Sequence, residues 1–311
     1  MKHKHSKAFR VTAPIGAAVF LLALLYGLGR LGLQPPGARY DGRMAHTLAA
    51  QPCWDNTPDT LIMQTKIYDV MARHMLEGGP ERKLLFIGLD GALPQAAGLL
   101  AREPGALRDL AAQGGMWLSR TGGAVPGDQV TCTAPSWTSM FTGVWADRHQ
   151  VYDNGDTLSP EVRTIFYLIQ ARGGRASFSF SWKPHGSVSY KHEAREYPEI
   201  FQTCKNDAGT LTSMLAAIEG GSDAVFGIFE LPDSTGHATG FSIRMPRYMR
   251  AMERMQADAK ALIEAAQERA ALHGEDWLII VASDHGGLGF AHKGISMMEM
   301  GTFFAANKAI F

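Results

Sequence analysis

Cysteine is scarce in this sequence: three residues, Cys53, Cys132 and Cys204, stand among 311. They are too few and too scattered for a disulfide framework or a thiolate zinc cluster. At most one bridge can form, and the expected pair in an oxidising compartment is Cys53 with Cys204. Excess charge of either sign is also lacking, because 30 basic and 30 acidic residues cancel. No general basic field exists to hold a nucleic acid, so an anionic substrate must be held locally. Internal repeats and low-complexity tracts are absent as well, which excludes a stacked solenoid.

What is present is enough apolar material for a large core. With 46% hydrophobic and 19% charged residues, the chain reads as one sizeable globular domain, with or without an inserted cap. The N-terminus is distinct from it: Lys2, Lys4, Lys7 and Arg10 precede an apolar run from Val11 to Gly29. That is an export signal, close to the roughly 20 residues that span a bilayer. Arg30 and the stretch Gln34, Pro35, Pro36, Gly37 follow it in place of a small-x-small cleavage site. Retention as a single membrane anchor is therefore expected, with secretion after cleavage as the alternative. The basic flank stays in the cytoplasm and the remainder lies outside it, in a periplasmic or extracellular setting.

The expected organisation is residues 1–30 as the anchor, 31–80 as a linker with a lead-in helix near Thr60 to Leu76, and 81–311 as the main domain. Within that domain short apolar runs alternate with amphipathic stretches, the pattern of an α/β fold built on a mostly parallel sheet flanked by helices. Strands are expected at Lys83 to Leu89, Arg175 to Phe180, Ala224 to Glu230 and Trp277 to Ala282. Helices are expected near Leu93 to Arg102, Ser136 to Thr142, Pro160 to Ala171, Ala208 to Glu219 and Pro246 to Leu272. In the last of these, Met249, Met252, Met255, Leu262 and Ile263 recur at spacings near three and four, which makes the methionines core packing.

Three of the strands end alike. Phe86, Ile87, Gly88, Leu89 runs into Asp90; Ile228, Phe229, Glu230, Leu231, Pro232 runs into Asp233; Ile280, Val281, Ala282, Ser283 runs into Asp284. Ligands of open α/β sheets bind outside the carboxyl ends of the strands, so these carboxylates should converge in one crevice. Like charges that close need cations to hold them. Histidines accompany two of the aspartates, in Asp233, Ser234, Thr235, Gly236, His237 and in Asp284, His285, Gly286, Gly287, and His292 follows. Carboxylate plus imidazole is a zinc-type ligand set, with manganese or iron as tolerated substitutes. Gly236, Gly286 and Gly287 are expected to allow tight turns around an ion. A fourth element, Thr131 to Gly143, sets the hydroxyl of Thr133 before a helix start marked by Pro135, where free amides could meet an oxyanion.

Together these landmarks, Phe86 to Gly91, Thr133 to Gly143 with His149 beyond, Asp233 to His237 and Asp284 to His292, resemble the alkaline phosphatase superfamily. Within it they resemble the type I phosphodiesterase and nucleotide pyrophosphatase group. The resemblance covers roughly residues 82–311. It implies two divalent metal ions, with zinc favoured by the imidazoles: one on Asp90, Thr133, Asp284 and His285, the other on Asp233, His237 and His292. It also implies attack of Thr133 on phosphorus and a phosphothreonine intermediate.

The sequence departs from the pattern at several points. Thr133 and Trp137 occupy the positions of the modified residue and the arginine of sulfatases, which disfavours sulfate ester hydrolysis. Ser136 stands where the nucleotide pyrophosphatases carry an asparagine that meets a nonbridging oxygen, and is a candidate donor to substrate. The usual His-Gly pairs read His149, Gln150 and His292, Lys293. Lys183 and His185, after an expected strand end, are further candidates for substrate contact. The chain ends at Phe311 where relatives in the group usually continue with another strand and helix, which leaves a C-terminal truncation open. A phosphoethanolamine-type transferase, a sulfatase-like hydrolase and a degenerate metal-binding domain remain open as alternatives, and neither the ester cut nor the oligomeric state is legible.

Overall fold

The four apolar runs expected to be strands are strands. The structure, a computed structural model, describes residues 53–311. The export segment and residues 31–52 of the expected linker lie outside the described residues. Among the described residues no helix is long and apolar enough to cross a membrane.

In chain order the strands are β1 (Ile62–Met63), β2 (Arg82–Leu89), β3 (Gly115–Arg120), β4 (Ala176–Phe180), β5 (Phe201–Thr203), β6 (Ala224–Phe229), β7 (Asp276–Ser283) and β8 (Gly301–Ala306). They form one sheet in the order β1-β3-β8-β7-β2-β6-β4-β5. The sheet is mixed: β8 runs antiparallel to β3 and β7, while the other ladders are parallel. The sequence reading contained no strand after His292. The run Thr302 to Ala306 nevertheless inserts between β7 and β3 and joins the two halves of the sheet. Residues 53–80 hold the Lys66–Leu76 helix and also the edge strand β1, paired with β3 through Ile62 and Ser119.

Because successive strand side chains point to opposite faces, β2 feeds two cores. Leu85, Ile87 and Leu89 pack with Met252, Met255, Leu262 and Ile263 of the long Pro246–His273 helix, whose partly buried Met249 packs against the same core. Leu84 and Phe86 face Trp137, Phe141, Phe166 and Phe178 on the other side. With both faces covered, β2, β6 and β7 are buried along nearly their whole length, as parallel strands normally are.

The expected Cys53–Cys204 bridge is not formed, and all three cysteines are free. The backbone of Asp55 bonds to Met116 in β3, whereas Cys204 follows β5 and bonds back to Phe180 of β4. Six strand steps separate β3 from β5. At about 4.8 Å a step that is about 29 Å, far beyond the roughly 6 Å between the α-carbons of a disulfide.

Candidate metal centre

The convergence of the aspartates follows from strand register. Leu89, the last residue of β2, pairs with Phe229 of β6 on one side and with Ser283 of β7 on the other. Three neighbouring strands thus end level, and Asp90, Glu230 and Asp284 emerge side by side. Asp233 comes one helical turn later, within the Leu231–Thr239 helix, and His237 lies on the same face of that helix at i+4. The segment was expected as a glycine-assisted turn. Gly236 instead permits close packing, since a β-carbon there would stand 2.4 Å from the Phe241 ring. Gly286 and Gly287 serve the same end against the Met298 carbonyl and Phe241.

Thr133 opens the Thr133–Thr142 helix, with Cys132 rather than Thr133 in the cap position. It lies between two residues bonded to the cluster. One turn on, the Trp137 indole donates to Asp90 Oδ2 (3.1 Å). Two residues earlier, the Thr131 carbonyl accepts from His292 Nδ1 (2.9 Å). Gly88 makes room for Trp137, because a β-carbon there would meet the indole at 2.6 Å.

The three histidines share one arrangement. His237, His285 and His292 each bond through Nδ1 to a backbone carbonyl, of Phe290 (2.8 Å), Gly286 (2.8 Å) and Thr131 (2.9 Å). Donation at Nδ1 leaves Nε2 as the ligating nitrogen, the usual arrangement of a metal-bound imidazole. His285 Nε2 lies 3.3 Å from Asp90 Oδ1 and 3.4 Å from Asp284 Oδ2. His292 Nε2 lies 3.6 Å from Asp233 Oδ1, and His237 Nε2 lies 3.4 Å from Asp233 Oδ2. The ligand atoms of Asp90, Asp284 and His285, and separately those of Asp233, His285 and His292, fall within 4.8 Å of one another.

The electrostatics of this cluster call for cations. Burial raises the Asp90 carboxyl and drives Asp284 well above the ordinary range, with neighbouring carboxylates adding to both. Burial alone would lower His285, but Asp284 and Asp90 overcome it and hold the ring at about 10. Burial and His285 together push His292 down to about 3. Asp90 Oδ1, Asp233 Oδ1, Asp284 Oδ2 and His285 Nε2 are all buried without a hydrogen-bond partner. Leaving one such atom unsatisfied costs about 1–3 kcal/mol, more for a charged group. In addition, His237 Nε2 and His292 Nε2 face each other at 3.1 Å, two lone pairs that only an intervening cation or proton reconciles. One proton can serve one of these contacts, whereas a divalent ion can accept several of the atoms at once. The donor set of carboxylates and imidazoles fits divalent metals, zinc among them.

Residues 84–305 match the family model of type I phosphodiesterase / nucleotide pyrophosphatase. The chain belongs to this family. No curated protein matches it. Among solved structures it is similar to murine ectonucleotide pyrophosphatase / phosphodiesterase 5, with 20% identity and a TM-score of 0.48 over 66% of this chain and 57% of that one. The human ectonucleotide pyrophosphatase / phosphodiesterase 5 is 16% identical, with a TM-score of 0.47 over the same shares. The alkaline phosphatase from the Antarctic bacterium TAB5 is 13% identical, with a TM-score of 0.49 over 72% of this chain and 91% of that one. The chain thus spans less than two thirds of the murine and human phosphodiesterase structures.

Against this family pattern, the remaining sequence candidates separate. Ser136 is fully buried and its hydroxyl is engaged by Thr121 at 2.9 Å. Lys183 is exposed beyond β4. His185, expected to touch substrate, is instead completely buried, edge-on to Phe178, Phe180 and Trp182 and stacked beside Tyr190. Both its ring nitrogens lack partners and burial lowers it to about 3. The structure therefore turns it into the core.

Several residues at the cluster escaped the sequence reading. Gln64, in the stretch taken as linker, donates its side-chain amide to the Asp284 carbonyl (2.7 Å). Tyr248 of the long helix donates to the Gly91 carbonyl (2.7 Å) and accepts from Leu93 (2.9 Å), fixing the turn after Asp90. Asn154 Oδ1 accepts from the Ala134 amide (2.9 Å), so one amide at the helix start is occupied by the protein itself. Glu230 adds a fourth carboxylate, with Oε1 buried and unpartnered, and burial followed by Asp90 drives it well above the ordinary range. Of these, Glu230 had a sequence signal: it stands about one helical turn before Asp233, already singled out.

Proposed function

We propose that this protein is a divalent-metal-dependent hydrolase of phosphate esters that acts through Thr133. One observation carries the reading: four buried, unpartnered ligand atoms of Asp90, Asp233, Asp284 and His285 converge beside a helix that begins with a hydroxyl. Family membership supports the same reaction class. Asp90, Asp284, His285 and Thr133 would hold one ion, and Asp233, His237 and His292 the other. When bound, such a pair supplies Lewis-acid stabilisation of the oxygens around phosphorus.

The chain's own residues do the rest. Thr133, 6% exposed, attacks phosphorus: its Oγ–P bond forms as the ester's P–O bond breaks, the hydroxyl proton ends on the departing alcohol by way of solvent, and water later cleaves the phosphothreonine to release phosphate and restore the hydroxyl. Trp137 holds Asp90 in place from behind. Since the Ala134 amide serves Asn154, the Ser136 amide closes on Cys132 and Pro135 has none, the Thr133 amide is the donor that the helix start leaves for an oxyanion. The basic leader and apolar run at the N-terminus support an extracytoplasmic, anchored setting, and fractionation of expressing cells against a variant lacking residues 1–30 tests it.

The decisive experiment uses zinc-loaded protein with bis-p-nitrophenyl phosphate and p-nitrophenyl phosphate. Thr133→Ala is expected to abolish turnover of both while metal content, read by mass spectrometry, stays within one ion of the parent. Turnover surviving in that variant would remove Thr133 from its role. No turnover by the metal-loaded parent would sink the hydrolase reading.

A further inference from the structure

Beside His292 stands Lys293, whose φ of 96° is a conformation that favours glycine. Thr131 clamps the loop there: its carbonyl accepts from His292 Nδ1 (2.9 Å), its hydroxyl accepts from the Lys293 amide (3.1 Å) and donates to the Gly294 carbonyl (2.8 Å). The side chain of Lys293 runs to Asp153, with Nζ 2.6 Å from Oδ1. The same Asp153 oxygen accepts from the Cys132 thiol (3.6 Å) and from the Asn154 amide (2.7 Å). Asn154 in turn caps Ala134. The ion pair is thus tied to both sequence neighbours of Thr133, Cys132 on one side and Ala134 on the other.

A glycine at this position would hold the loop without backbone strain, so a side chain kept there in spite of it points to a use for its ammonium. The Lys293 and Asp153 side chains remain 46% and 55% exposed. An ion pair that exposed is weak and readily exchanged for another anion. Nothing in the metal-ligand set requires a lysine at this point.

On the hydrolase reading given above, we propose that Lys293 is a specificity-determining substrate contact, whose ammonium leaves Asp153 to pair with a nonbridging oxygen of the substrate. Asp153 is its resting counter-ion. A dianionic group gains more from one added positive charge than a monoanionic one does. The site therefore favours phosphate monoesters, or the terminal phosphate of a pyrophosphate, over simple diesters.

The test compares kcat/KM of zinc-loaded full-length parent, Lys293→Gly and Lys293→Arg on p-nitrophenyl phosphate and bis-p-nitrophenyl phosphate. Lys293→Gly, which also relieves the strained backbone, is expected to lose about tenfold on the monoester, mainly in KM, and less than about threefold on the diester. Lys293→Arg is expected to recover most of the monoester loss. An equal loss on both esters, or none on either, overturns the proposal. Calorimetric titration with inorganic phosphate supplies a second readout, with about tenfold weaker binding expected for Lys293→Gly. If the parent binds phosphate but turns over neither ester, the hydrolase reading fails while the titration still decides Lys293. If the parent does not bind phosphate, or the variant binds it equally well, Lys293 has no such role.

Discussion

His285 and His185 are both completely shielded from solvent, in two regions that treat an imidazole in opposite ways. Among the aromatic rings around Phe178, burial lowers His185 to about 3, so it is neutral. At the carboxyl ends of β2 and β7, Asp284 and Asp90 overcome the same burial and hold His285 near 10. The aromatic region is satisfied by packing, with Phe166 stacked on Phe178 at 5.1 Å and edge-on to Tyr190 at 5.5 Å. The carboxylate region is left with buried ligand atoms that have no hydrogen-bond partner. A buried histidine thus marks a candidate site through the charges facing it, and burial by itself does not.

The largest expected effect breaks the charged side of this contrast. Asp90→Ala should reduce ester turnover by about a thousandfold and remove most of the rise in Tm that zinc confers on the parent. Its metal-free form should melt a few degrees above the metal-free parent, because one of the crowded like charges is gone. A parent whose melting temperature does not respond to zinc or to a chelator would mean that the cluster holds no cation.

Smaller, and aimed at the support beneath that region, is Thr131→Val. It removes the two hydroxyl bonds that position Lys293 and Gly294 while leaving the carbonyl that orients His292. Zinc affinity, measured by competition with a chromophoric chelator, should fall about tenfold. Unchanged affinity would show that the loop is positioned by other contacts.

The aromatic region contains its own test in Glu193, 1% exposed and bonded to the amide and hydroxyl of Thr164. Burial raises this carboxyl from 4.5 to about 7. Between those values the folded chain keeps a proton that the unfolded chain has lost, so stability falls as pH rises through the window. The full fall is on the order of 3 kcal/mol. Glu193→Gln should flatten this part of the stability curve in chemical denaturation at pH 5 and pH 8, and an unaltered slope would place the titration elsewhere.

The smallest expected effect is His185→Phe. Turnover should stay within about twofold, and Tm should rise by a few degrees as two unpartnered ring nitrogens leave the core. A large loss of turnover would return His185 to the list of substrate contacts and dissolve the contrast between the two regions.

Legibility in the sequence follows the range of the signal. The apolar runs of β2, β4, β6 and β7 and the methionine-studded long helix were readable because their periodicity is local. The aspartates at the three strand ends were readable because a parallel sheet sends its carboxyl ends to one side. The strand β8 was not, since a short run after the last histidine owes its strand state to insertion between β7 and β3. Ser136 and His185 lie near chemistry in the sequence, but in the fold Thr121 and a shell of aromatic rings claim their side chains. Gln64 and Tyr248 reach the cluster from more than 150 positions away along the chain, a distance over which no spacing rule operates.

By itself, the sequence determined which elements form, which way the sheet's functional end faces and which ionisable residues are delivered there, because strand and helix periods and strand-end positions are properties of short segments. Only the tertiary structure decided which of those residues meet, which imidazole burial lowers and which the facing carboxylates raise, and that the Lys293–Asp153 pair stands beside Cys132. Those outcomes depend on burial and on charges brought together from distant segments, and neither exists until the chain has folded.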